Sequence, residues 1–163
     1  MKKLLLASAL LFLLSGCSLG VFGSGKADEL VEFNNEQLNK IIEMEEKANE
    51  PILEAVTSYD IEALIAGIQD AKPEYDKMLK EIDSWKFKTD EVEAKAKQLR
   101  EVVKMSRENL DVQQEAFETE DEELMTKADE TQMKIEEKAV KFDKDLKKLA
   151  DEWDVEINDQ ELE

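Results

Sequence analysis

Cys17 is the one cysteine of this 163-residue chain, and its position suggests processing rather than catalysis. Leu14, Ser15 and Gly16 lead into it, behind an apolar and small-residue run from Leu4 to Leu14 that follows Lys2 and Lys3. A charged start, a short apolar stretch and a small-residue site make up the anatomy of a cleavable secretory signal. The chemistry expected at this point is peptide-bond cleavage beside a thiol. Little else in the chain supplies reactive groups. There is no histidine, so Ser–His and Cys–His nucleophile pairs cannot be built. The usual zinc ligand sets and the Glu-x-x-His di-iron pattern are excluded with it.

Carboxylates are abundant, but acid–base work by a carboxylate pair needs a cleft that perturbs one of the two. Solvated surface accounts for the Asp and Glu side chains better. The oxygen-rich tail, Asp154, Glu156, Asn158, Asp159, Glu161 and Glu163, lacks the turn glycine and the spacing of a calcium loop. Gly67 stands alone in the folded part, so no glycine-rich phosphate loop is present. Met44, Met78, Met105, Met125 and Met133 are scattered over several segments and read as core filling rather than a copper site. No cofactor and no metal are expected.

The run Leu14-Ser15-Gly16-Cys17, with the segment before it, resembles the bacterial lipobox. The resemblance implies a diacylglycerol on the Cys17 thiol, removal of residues 1–16, and Cys17 as the new N-terminus. An ordinary signal peptide with a chance cysteine is the alternative. The apolar run is shorter than the roughly 20 residues a spanning helix needs, so the mature chain is expected to be anchored to a membrane without crossing it. Two acyl chains hold a protein stably where one is marginal, at about 0.8 kcal/mol per buried methylene.

Four parts follow: a signal peptide at 1–16, a lipidated cysteine and glycine-containing tether at 17–26, a folded domain at 27–153, and an acidic, frayed tail at 154–163. Val21 and Phe22 interrupt the tether, either as ordinary linker residues or as a segment able to dip into the membrane interface. Losing Lys2 and Lys3 takes the 22 basic residues to about 20 against 41 acidic ones, a net charge near −21. Nucleic acid is excluded as a partner, because phosphate binding needs a basic face. A basic protein partner would be attracted at long range. With the single thiol consumed by lipid, no disulfide can form, and stability must come from packing.

The folded part is rich in helix formers and shows no period-two alternation. Four helical segments are expected, at about 27–59, 61–85, 90–117 and 121–153. The second carries Ile61, Leu64, Ile68, Ala71, Tyr75, Met78, Ile82 and Trp85 at alternating steps of three and four. Val92, Ala96, Leu99, Val103, Ser106, Leu110, Gln113 and Phe117 mark the third. Met125, Ala128, Gln132, Ile135, Ala139, Phe142, Leu146, Leu149 and Trp153 mark the fourth. The first is less regular, since Asn34 and Glu45 fall on the stripe of Val31, Leu38, Ile41, Ala48, Ile52, Ala55 and Tyr59. Asp60, Asp90 with Glu93, and Thr119 with Glu122 are the expected starts, with Asn49 as a cap if Pro51 forces a restart. Pro51 and Pro73 would either kink or break their helices. Short connections make sequence neighbours antiparallel. The expected fold is all-α, an elongated antiparallel four-helix bundle, with a three-helix or open antiparallel coiled-coil form as the alternative. Open seams would also allow a homo-oligomer.

Trp85 and Trp153 close the C-terminal ends of two stripes and should lie at one end of the bundle. There they would either seal the core with Phe87 or form an aromatic patch for a partner.

The lipobox together with Glu/Lys-rich helical segments such as Ile41–Lys47 and Glu74–Lys80 is similar to the cell-wall-binding lipoproteins of Gram-positive bacteria. That resemblance implies a noncatalytic, extracytoplasmic lipoprotein on the cell membrane that binds or spaces an envelope component. An exclusion or immunity lipoprotein against phage, plasmid or toxin is the alternative, and a hydrolase or solute-binding protein a third. The discarded stretch Leu10–Gly16 also looks like the short apolar pheromones that some lipoprotein signals release.

Overall fold

Four runs of 20 to 31 helical residues, joined by turns too short to do anything but reverse the chain, follow from a sequence with few glycines. The computed structural model describes residues 25–156. The first arm is α1 (Gly25–Glu32), a π-helical turn (Phe33–Leu38) and α2 (Asn39–Ser58). Then come α3 (Ile61–Ser84), α4 (Asp90–Thr119) and α5 (Glu122–Glu152). The chain is all-α among the described residues, and its four arms pack as an elongated bundle.

Cross-helix pairs set the directions. Lys40 meets Glu81 at 2.8 Å while Asn49 meets Tyr75 at 3.1 Å, so the first arm and α3 are antiparallel. Arg100 pairs with Asp83 and Arg107 with Asp76, which reverses α4 against α3. Gln98 donates to Asp145 and Lys138 pairs with Glu101, which reverses α5 against α4. The ion pairs among them are at the surface and fix register more than they stabilise, at roughly 0–1 kcal/mol each. Packing runs in chain order: α2 on α3, α3 on α4, α4 on α5. A 30-residue helix such as α4 gives the rod a length of about 45 Å.

The main core draws on every arm, from Leu30, Phe33 and Ile41 through Ile68 and Met78 to Val92, Leu99, Phe142 and Leu146. A smaller cluster of Val102, Ile135 and Ala139, with Met105 against it, joins α4 to α5 alone. The polar stripe residues Ser106, Gln113 and Gln132 are only half-buried, so the packing there is thin.

Both prolines lie inside continuous helices, and the chain neither breaks nor restarts at them. Asn49 is therefore not a cap; its side chain is buried. Asp60 caps α3, accepting the Ala63 N–H at 2.9 Å. Two expected starts are corrected. Asp90 is the first helical residue after Thr89, with no side-chain cap bond. Thr119 bonds back to the Glu115 carbonyl inside α4, and Asp121 caps α5 by accepting from Glu123 and Leu124. Aspartate wins at Asp121 because it stands directly before the first helical residue, where its carboxylate reaches the free N–H groups.

Two stripe ends also differ from expectation. Tyr59 is 89 % exposed and Ile61 53 % exposed. Tyr59 takes φ 57° because it is the reversing residue of a Schellman motif, with Asp60 N–H on Ala55 O and Tyr59 N–H on Val56 O. Glu120 and Asp154 hold the same left-handed position after α4 and α5. The last of these turns folds Val155 onto the core through its N–H to Ala150 O.

Candidate functional site

The end of the bundle where the described chain begins is built by four segments. Lys26 of α1 pairs with Glu91 of α4 at 3.4 Å, and its ammonium stands 5.7 Å from the centre of the Trp153 ring. Glu29 accepts the Lys88 N–H at 2.6 Å, which ties the loop between α3 and α4 to the first arm. Burial pushes the Glu29 carboxyl up, but backbone N–H bonds from Lys88 and Thr89 more than offset it and hold the group below its ordinary range.

Trp85, Phe87 and Trp153 do come to this one end. Trp85 and Phe87 stand edge to face, with centroids 6.3 Å apart. Phe33 completes the group, 6.1 Å from Trp85 and 5.9 Å from Phe87. Phe33 is fully buried, whereas Trp85, Phe87 and Trp153 are half-buried over the core. Trp85 donates its indole N–H to Glu81 at 3.2 Å. Sequence reasoning missed Phe33 because a regular helix places it off the stripe. In the π-helical turn the wider i→i+5 repeat carries Phe33 and Leu38, five residues apart, onto the same inner face.

Leu14, Ser15, Gly16 and Cys17, the expected processing site, lie outside the described residues, as do most of the 17–26 tether and residues 157–163 of the tail. Among the described residues no helix is long and apolar enough to cross a membrane. Among them, too, no group of three or more His, Cys, Asp and Glu side chains is placed to hold a metal ion.

A polar trio lies between α2 and α3, with Asn49 and Tyr75 buried and Glu45 half-buried, and its one sign in the sequence is Glu45 on the apolar stripe of the first arm. Asn49 donates to the Tyr75 hydroxyl at 3.1 Å, and that hydroxyl donates to Glu45 Oε1 at 3.2 Å. Burial raises the Glu45 carboxyl to about 7, against the opposing bond from Tyr75, and neighbouring Glu46 adds to the rise. Burial also drives the Tyr75 hydroxyl well above its usual range. The trio ties α2 to α3.

The described residues form an all-α helical rod with an aromatic end. A family model matches residues 26–158, and the chain belongs to the family described as uncharacterised lipoprotein PM1805. No curated protein and no solved structure matches the chain.

Proposed function

We propose that this protein is an extracytoplasmic lipoprotein, held on the cell membrane by a diacylglycerol on Cys17, whose bundle binds or spaces another envelope component without catalysis. The observation that carries the reading is the agreement of two separate stretches of chain. The lipobox-like run ends at Cys17, and the lipoprotein-family match begins only at residue 26, so neither contributes to the other. Anchor, family and a rod about 45 Å long suit a spacer or a binding post better than an enzyme. The absence of histidine and of any thiol besides Cys17 supports the noncatalytic part.

The likeness to wall-binding lipoproteins rests on composition, and a surface near −21 would repel anionic wall polymers. A protein partner with a basic face fits this surface better. Photo-crosslinking of the anchored protein in cells, with identification of what is captured, tests the binding part. Recovery of one envelope protein, abolished when its basic face is neutralised, supports it; capture of lipid alone overturns it.

A further inference from the structure

The aromatic end of the bundle is also the end from which the chain leads back to Cys17, and this juxtaposition has a consequence. Gly25 begins α1 beside the α3–α4 loop and the end of α5. Seven residues lie between it and Cys17, and the eight steps of chain span at most about 29 Å. The opposite end, at Tyr59 and Glu120, stands about 45 Å further along the rod.

We infer that the Trp85–Phe87–Trp153 end is a lipid-facing surface that rests in the headgroup layer, with the rod upright and its Tyr59 end directed away. The inference rests on the Cys17 anchor proposed above. Chemistry at this end favours the bilayer interface. The half-buried rings of Trp85, Phe87 and Trp153 join an apolar body to a polar rim, the combination that partitions to the boundary between hydrocarbon and water. Lys86 and Lys88 flank Phe87, are exposed, and stand in a loop without a carboxylate between Trp85 and Thr89. Their stems can lie along the rings while the ammonium groups reach lipid phosphates. Carboxylates stand at this end too, but Glu29 is bound to the Lys88 N–H and Glu91 is paired with Lys26, while Asp90, Glu152, Asp154 and Glu156 are exposed around the rings and must be turned from the headgroups or screened. Glu43, Glu50, Glu54 and Asp70 are exposed along the flanks of the rod, and a rod lying flat would press such carboxylates against the headgroups.

Trp85 and Trp153 are the chain's two tryptophans, so its intrinsic emission reports on this end alone. The test takes the full lipidated chain purified from cells and reconstitutes it into vesicles of phosphatidylglycerol and phosphatidylethanolamine. A fraction of the lipid carries bromine on the acyl chain near the headgroup. Flotation with the vesicles is read first, then emission. The expected result is flotation with loss of most tryptophan emission, in the parent and in both W85F and W153F. A tryptophan placed at the other end (Y59W in the doubly substituted W85F/W153F background) keeps its emission. Flotation with unquenched tryptophans overturns the lipid-facing end and leaves the anchor standing. Quenching of the Tyr59→Trp reporter also overturns it, because the rod then lies flat. Failure to float removes the anchor and this inference together.

Discussion

Gly67 of α3 lies against the backbone of Ile52 in α2, so closely that a Cβ at position 67 would stand 3.1 Å from the Ile52 nitrogen and 3.2 Å from the Pro51 carbonyl carbon. The opposing atoms are main chain and cannot rotate aside. This contact sets the separation of the first two arms. Alanine at 67 gains about 1 kcal/mol of helix propensity but must push the helices apart. Gly67→Ala is expected to be roughly neutral to mildly destabilising, and Gly67→Leu to cost about 2–3 kcal/mol in urea unfolding through overpacking. A leucine variant as stable as the parent would show that the arms are not in close contact.

Glu45 predicts a pH dependence of definite sign. Its folded pKa is raised from 4.5 to about 7 by burial. Below pH 4.5 both folded and unfolded states hold the proton, so this group imposes no penalty. As pH rises from 4.5 to 7 the unfolded chain releases its proton first, and stability falls. Above 7 both states are ionised and the loss is complete, at about 3 kcal/mol. Glu45→Gln should therefore melt higher than the parent at pH 8 and close to it at pH 4.5. Equal melting shifts at both pH values would remove Glu45 as the titrating group.

Tyr59 gains nothing by burial and holds a left-handed backbone at φ 57°. A side chain there costs roughly 1–2 kcal/mol relative to a relaxed backbone, whereas glycine adopts the conformation freely. Part of that gain is offset by the greater freedom of glycine in the unfolded chain. Tyr59→Gly should raise stability by about 0.5–1 kcal/mol, measurable by chemical denaturation. A loss of stability would mean that the tyrosine ring makes a contact the backbone strain is there to hold.

The helices were legible because their interior positions repeat at alternating three and four: Leu64 through Ile82, and Ile135 through Leu149, are buried as that spacing requires. The prolines were not decidable, since a proline inside a helical pattern is compatible with either a kink or a break, and the helices run through both. The π-helical turn was hidden as well. It appeared in the sequence as an irregular stripe, and a wide turn and a poor helix look alike until Phe33 and Leu38 are seen on the same face. Asn109 shows the same limit. It is buried, with its amide on the Ala128 carbonyl of α5, yet nothing in its local sequence distinguishes it from a surface asparagine. Trp85, Phe87 and Trp153 were placed at one end by antiparallel reasoning alone, which needs only helix lengths and short turns.

Intact-protein and N-terminal peptide mass spectrometry of the chain purified from cell membranes tests the account at its centre. The account predicts a chain that starts at Cys17 and carries the mass of a diacylglycerol on its sulfur, with a Cys17→Ser variant released from the membrane fraction. An unmodified Cys17 in a membrane-free protein, fractionating identically to Cys17→Ser, would contradict it.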